Sequence, residues 1–114
     1  MNKRKYQRIP MTGLEADISD GRGFFSGTVH DISRNGLSLQ DIPDKMNTRA
    51  NKLSIIVNGK GRHFKLQLVP KWEVLAGNQK HIGGSLEQCS ISWMDFVMHH
   101  EPEPDDVWGS ANID

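Results

Sequence analysis

Short runs that alternate apolar and polar residues cover most of the chain between residues 13 and 86, and this is the period of half-buried β-strands. Three of these runs place large apolar side chains on one side: Leu37 and Leu39 in GLSLQ, Leu53, Ile55 and Val57 in LSIIV, and Phe64, Leu66 and Leu68 in HFKLQL. Two further runs contain Leu14, Ala16 and Ile18, and Phe24, Phe25 and Val29. The pattern predicts about six short strands.

The breaks between the runs have the composition of tight turns. Asp20-Gly21, Asn35-Gly36, Asn58-Gly59 and Gly77-Asn78 separate successive runs, and such dipeptides tolerate the positive φ angles that hairpins require. Strands with this spacing favour an antiparallel barrel or sandwich. Pro70 interrupts the fifth run, so we expect a bulge or an edge position there.

The segment after the strands has helical spacing. Ser92 and Asp95 fit a capping box, which predicts a helix of about two turns beginning at Ser92. Its regularly spaced residues are Trp93, Phe96, Val97 and His100. Pro102 and Pro104 end the helix.

Composition limits the location and the partners. The 114 residues suit a single domain, and 14 basic residues balance 14 acidic ones, so no net positive field attracts nucleic acid or an anionic membrane. Cys89 is the only cysteine, which fits a reducing compartment, and no segment resembles a signal or membrane span. We expect a cytoplasmic protein without membrane insertion.

The charges are concentrated at the two ends. Residues 1–8 carry the cations Lys3, Arg4, Lys5 and Arg8, whereas residues 101–114 carry Glu101, Glu103, Asp105, Asp106 and Asp114 and no basic residue. We therefore expect a flexible arm over residues 1–10, the barrel and its helix over residues 11–100, and an acidic disordered tail over residues 101–114.

Two arginines of the arm have the chemistry of an anion site. Arg4 and Arg8 are four residues apart, which places them on the same side of a helical turn or of an extended segment. A planar guanidinium matches phosphate oxygens or the edge of guanine bidentately and stacks on a purine. A basic amino end is more often a solvated tail, so this interpretation needs a second segment.

The second segment is Asp31-Ile32-Ser33-Arg34-Asn35-Gly36, between two predicted strands. One interpretation is a hairpin turn, in which Asp31 and Ser33 bond to their own backbone and Gly36 supplies an unusual dihedral angle. The other is a nucleotide site, in which the Asp31 carboxylate and the Ser33 hydroxyl bond to the ligand and Gly36 lets it approach the backbone. The two are compatible. Arg34 is either an exposed turn residue or a third cation for a phosphate.

An R-x-x-x-R sequence followed by a D/N-x-S-x-x-G turn resembles the paired signature of PilZ domains, bacterial receptors of cyclic di-GMP. The two halves are Arg4 and Arg8, and Asp31, Ser33 and Gly36. Trp72, the Gly83-Gly84 step and the closing helix are also similar, so the resemblance covers roughly residues 3–100.

The resemblance implies a mainly β protein: a six-stranded antiparallel split barrel with Greek-key-like connections and a short C-terminal helix. It implies no catalysis, no metal and no cofactor, with cyclic di-GMP as the ligand between the arm and the outer barrel surface. The ligand-binding residues would be Arg4, Arg8, Asp31, Ser33 and Gly36, together with Arg34 and Asn35. We expect the ligand to order the arm and create a surface for a protein partner, such as motility, polysaccharide or pilus machinery. The protein itself would be a monomer or a weak homodimer.

The sequence also bears on four other functions. A barrel of this type can serve as a protein adaptor without a nucleotide, through the helix or the acidic tail. A hydrolase triad of His30, Asp31 and Ser33 is disfavoured, because neighbours on a strand point to alternate faces and no nucleophile elbow surrounds the serine. The histidines and Cys89 lack metal-ligand spacing. DNA or RNA binding is disfavoured because the aromatic residues do not alternate with a basic stripe.

Overall fold

The chain is described by a computed structural model over residues 7–102. Its elements are β1 (Ile9–Pro10), β2 (Glu15–Ser19), β3 (Phe24–Ser33), β4 (Gly36–Pro43), β5 (Leu53–Gly59), β6 (Arg62–Ala76), β7 (Gln79–Glu87) and α1 (Ile91–His100).

The sheet closes into a barrel. Strands β3, β2, β5, β6, β7 and β4 are neighbours in that order, and β4 pairs again with β3. All of these pairings are antiparallel. The predicted six-stranded antiparallel barrel with a C-terminal helix is therefore confirmed, and β1 is a short seventh strand that pairs with the end of β3.

Alternating side chains fill the barrel as the sequence predicts. Leu53, Ile55 and Val57 on β5 are at most 1% exposed, and their partners on β6 are also buried. Phe24 is an exception, because it lies at the start of β3 with 86% of its surface exposed. The apolar runs thus predict the core well within the strands and less well at their ends.

Helix α1 buries Trp93, Phe96 and Val97 against this core. The rings of Trp93 and Phe64 meet edge to face, with centroids 5.2 Å apart. The predicted capping box at Ser92 is wrong: the N-cap is Ser90, whose Oγ accepts a hydrogen bond from the Trp93 backbone N–H at 3.2 Å. Ser90 has the extended backbone that an N-cap needs and lies three residues before that donor, whereas Ser92 is already inside the helix.

The turns lie where the sequence predicts them, with two differences. Gly21 and Gly77 have positive φ angles of 92° and 67°. In the hairpin between β5 and β6, however, the turn residues are Lys60 and Gly61, with φ of 53° and 73°, because β5 continues through Gly59. The other difference concerns Gly36, which has no positive φ and lies inside β4.

The expected irregularity near Pro70 is present, since the register of β6 against β7 shifts between Pro70 and Trp72. Between residues 7 and 102, no helix has both the length and the hydropathy needed to cross a bilayer.

Candidate functional site

Strand β1 brings the end of the basic arm to the Asp31–Gly36 turn. Ile9 pairs with Ile32 and Pro10 with Asp31, so the residue before the pairing, Arg8, comes opposite Ser33. Two residues of the expected arm therefore belong to the sheet. Arg4 lies outside the described residues.

The turn itself is a two-residue hairpin. Ser33 pairs with Gly36 across the ladder, which leaves Arg34 and Asn35 as the turn residues. Ser33 is 5% exposed, and its Oγ donates to Asn35 Oδ1 at 3.4 Å. A methyl group at Gly36 would lie 3.0 Å from Ser33 Oγ and 3.2 Å from the Gly84 carbonyl oxygen. A larger residue here would therefore crowd Ser33 and the Gly84 carbonyl, and this close approach, not an unusual dihedral angle, is what glycine provides.

Ser33, Arg34 and Asn35 are also held by hydrogen bonds from other parts of the fold. The Ser33 carbonyl accepts from Trp93 Nε1 at 3.3 Å, and the Asn35 carbonyl accepts from the Leu86 N–H at 2.8 Å. Arg34 donates from Nε and Nη2 to the two carboxylate oxygens of Glu101, at 2.8 and 2.7 Å. The turn is thus attached to both ends of α1 and to β7.

Glu101 was expected in the disordered tail, but it is the C-cap residue of α1. The hydrogen bonds from Arg34 lower the pKa of its carboxyl group. Arg34 is therefore not simply an exposed turn residue: its guanidinium holds the end of the helix beside the turn.

A row of cross-strand partners runs from the turn across the outside of the barrel. Pro10 pairs with Asp31, Asp31 with Ser38, Ser38 with Gly83, and Gly83 with Trp72. The strands in this row are β1, β3, β4, β7 and β6. We call the surface formed by this row, together with Arg8, His30 and His81, the ligand face.

The Trp72 indole packs against Gly83 of β7 within this face. A methyl group at Gly83 would overlap the indole ring, so only glycine leaves room for it there. The guanidinium carbon of Arg8 is 6.0 Å from the centre of the Trp72 ring, which is the geometry of a cation–π contact. The arm, β6 and β7 therefore meet at this ring.

Two histidines continue the face from Trp72 to Asp31. The His81 ring is 5.0 Å from Trp72 and 4.8 Å from His30, in both cases edge to face. His30 Nδ1 lies 3.3 Å from an Asp31 carboxylate oxygen. Burial lowers the pKa of His81, His30 and Arg8 lower it further, and Asp31 and Asp41 act in the opposite direction.

The contact between His30 and Asp31 contradicts the assumption that neighbours on a strand point to opposite faces. The register of β3 against β4 shifts between Val29 and Asp31, so His30 lies in a β-bulge, which re-aims side chains. A triad does not result, because His30 Nδ1 lies 3.5 Å from Ser38 Oγ while the Ser33 hydroxyl bonds to Asn35. Within residues 7–102, no group of three His, Cys, Asp or Glu side chains is arranged to hold a metal ion.

Another cleft, of about 530 Å³, lies over the outside of β2, β5 and β6. Its charged lining residues are Asp17, Lys65 and Glu87, so its charge does not favour an anion. A smaller cleft of about 230 Å³ adjoins Trp72 and contains Arg49 and Lys71. Of these two clefts, the one beside Trp72 is lined by more basic than acidic residues, since it contains Arg49 and Lys71 with Glu73.

Sequence reasoning located Arg8, Asp31, Ser33 and Gly36 in the region where the structure brings them together. It did not assign His30, Ser38 or His81 to the site, and it used Trp72 and Gly83 only as points of resemblance. The signal for these residues is the cross-strand register, which a single sequence does not reveal where bulges shift it.

No protein-family model matches the chain, and no curated protein matches it. The fold is similar to that of several solved structures. The Bacillus subtilis inhibitor of motility, MotI/DgrA, aligns with a TM-score of 0.70 and 12% identity over 87% of this chain and 49% of its own. The K. pneumonia MrkH–c-di-GMP complex aligns with a TM-score of 0.67 and 10% identity over 100% and 57%.

The PilZ domain of YcgR from Escherichia coli, with c-di-GMP, aligns with a TM-score of 0.61 and 14% identity over 97% of this chain and 98% of that domain. The chain therefore has the PilZ fold. It spans about half the length of MotI/DgrA and of MrkH.

Proposed function

We propose that the protein is a receptor of cyclic di-GMP, which binds on the ligand face beside the Asp31–Gly36 turn. The observation that carries the proposal is the pairing of β1 with β3, because it puts Arg8 and the turn on one surface. MrkH and the PilZ domain of YcgR, which share the fold, were both solved with c-di-GMP.

The chemistry of the face suits this ligand. Cyclic di-GMP has two phosphates and two guanine bases. Arg8 supplies charge and a flat surface for stacking, and the Asp31 carboxylate can accept from the N–H donors of a guanine edge. Ser33 supports the turn through Asn35 and offers its hydroxyl to a phosphate or base. Arg4 is the second guanidinium in this proposal.

Binding acts as a signal by ordering the arm. Residues before Arg8 carry three cations, Lys3, Arg4 and Lys5, and only one aromatic residue, Tyr6, so the anionic ligand is the natural partner of this segment. The arm and the ligand together then offer a protein partner a new surface.

The test is a titration followed by thermal unfolding and calorimetry, with cyclic di-GMP, GMP and cyclic di-AMP as ligands. A ligand at a hundredfold excess over its dissociation constant stabilises the folded state by about 2.7 kcal/mol. We expect this stabilisation with cyclic di-GMP and much less with the other two. Equal shifts with all three, or none, would leave the adaptor function as the better account of the fold.

A further inference from the structure

The ligand face contains an unbroken line of side chains that begins and ends on opposite charges. Arg8 lies over Trp72, the Trp72 ring meets His81, and the two imidazoles meet each other at 4.8 Å. His30 then contacts the Asp31 carboxylate at 3.3 Å. Two titratable groups thus form the middle of the proposed binding surface.

The histidines have unequal surroundings. His81 Nε2 is buried and has no hydrogen-bond partner among residues 7–102. The His30 side chain is 46% exposed, and its Nδ1 faces Asp31 and Ser38. The charged groups near His81 are His30, Arg8, Asp31 and Asp41. The His81 imidazole therefore lies within the field of the Arg8 guanidinium and of the Asp31 and Asp41 carboxylates.

An anionic ligand changes that field. In the free protein, burial lowers the pKa of His81, and His30 and Arg8 lower it further, which favours the neutral ring. A phosphodiester on the same face brings fixed negative charge close to the imidazoles, and an opposite charge within about 4–6 Å favours the protonated form. Binding and protonation then support each other by linkage.

Resting on the proposed function, we propose that His30 and His81 are ligand-binding side chains of this face, and that the pair takes up a proton when cyclic di-GMP binds. The direction follows from charge: a protonated imidazole attracts the anion, so affinity rises as the pH falls. The receptor would then respond to the messenger and to acidification together.

Calorimetric titration of the full chain with cyclic di-GMP at pH 6.5, in two buffers of different ionisation enthalpy such as PIPES and Bis-Tris, measures the protons exchanged on binding. The ligand does not titrate near this pH, so exchanged protons come from the protein. We expect net uptake, and a dissociation constant that is roughly three- to tenfold lower at pH 6.0 than at pH 7.5, because one proton contributes at most tenfold per pH unit.

The variants His30→Gln, His81→Gln and the double variant identify the groups. The matched control is His63→Gln, since His63 is exposed and contacts Asn58 in the β5–β6 hairpin. We expect the double variant to lose the uptake and the control to keep it. His30→Gln changes an exposed ring, so it remains informative if His81→Gln unfolds.

The outcomes separate the two proposals. Tight binding with no proton uptake in the unmodified protein, or with uptake that survives in the double variant, would overturn this inference and leave the receptor function standing. Absence of binding at every pH would overturn the receptor function, and this inference with it.

Discussion

The guanidinium carbon of Arg8 lies 6.0 Å from the centre of the Trp72 ring, although 64 residues separate the two in the sequence. The contact joins the segment that enters β1 to the bulged part of β6. It fixes the last arginine of the arm over a flat aromatic surface, on the same side of the barrel as Asp31.

Replacement of this arginine tests the site directly. We expect Arg8→Ala to weaken cyclic di-GMP binding by at least about tenfold, because a charge-assisted hydrogen bond contributes roughly 1.5–3 kcal/mol. The free protein should lose only about 0.5–1 kcal/mol of stability, the value of an exposed cation–π contact. Calorimetric titration and thermal unfolding measure the two effects.

Arg62→Ala is the matched control for that change. Arg62 also lies over aromatic rings, at 5.3 Å from Phe64 and 5.4 Å from Phe96, but at the β5–β6 hairpin end of β6. Its removal should leave the affinity unchanged. A loss equal to that of Arg8→Ala would mean that general positive charge, and not the ligand face, attracts the ligand.

The glycine beneath the indole ring gives a second prediction. Gly83→Ala places a methyl group where the Trp72 ring lies, so the ring must move or β7 must shift, at a cost of about 1–3 kcal/mol. We expect a lower melting temperature and weaker ligand binding together. Ser85→Ala on the same strand is the control, and comparable losses there would mean that β7 is sensitive to any change.

The Arg34–Glu101 pair makes a third prediction, on stability. The two side chains are 30% and 18% exposed and form two hydrogen bonds. A double-mutant cycle with Arg34→Ala and Glu101→Gln should give a coupling free energy of about 1 kcal/mol. Chemical denaturation measures it. Additive losses in the double variant would mean that the pair contributes nothing as a pair.

The same pair has a defined pH dependence. The pKa of Glu101 is lower in the folded protein than in the unfolded chain because Arg34 donates to it. Its stabilising contribution is therefore complete above the unfolded pKa and is lost as the pH falls through the folded pKa. Glu101→Gln should make the free energy of unfolding less dependent on pH in the acidic range. The same pH dependence in the variant and the unmodified protein would contradict this.

Two ion pairs that each include a residue of β7 give a fourth prediction, because they differ in burial. Lys80 is 5% exposed, and its Nζ donates to the Met46 carbonyl at 2.6 Å and to Glu73 at 3.2 Å. Glu73→Gln leaves that buried cation without its counter-charge, so we expect a melting temperature lower by about 4–8 °C, which corresponds to roughly 1 kcal/mol.

The exposed pair Lys52–Glu87 is the control, since its side chains are 53% and 40% exposed. Glu87→Gln should change the melting temperature by much less, because exposed pairs contribute little. If the two substitutions have equal effects, the burial of Lys80 does not determine the strength of its pair.

Much of the fold could be predicted from the local pattern of apolar and polar residues. Alternation along β5 and β6 predicted the buried faces, since the side chains of a strand have a period of two. The N-cap was misassigned because Ser90 and Ser92 both precede the apolar helix residues, and only the backbone angles distinguish them. The β5–β6 turn was misplaced because Lys60, and not Asn58, adopts the positive φ angle.

The candidate site was predictable only where residues near in sequence form it. Arg8 and the Asp31–Gly36 turn follow from their motifs, and the pairing of β1 with β3 joins them. The positions of His30 and Trp72 depend on bulges that shift the register. A bulge inserts one residue into one strand, so it changes which side chains share a face without leaving a clear mark in the sequence.

The pairing of Ile9 with Ile32 also attaches the segment before β1 to the barrel at Arg8. A chain spans at most about 3.6 Å per residue, so the Cα atom of Arg4 stays within about 14 Å of that of Arg8 in any conformation. In the proposed receptor, a ligand bound at the barrel by Arg8 therefore meets the Arg4 guanidinium at high local concentration. Binding to Arg4 is then nearly an intramolecular step. Lengthening the spacer between the two arginines should weaken this advantage gradually, whereas cutting the chain between them should abolish it.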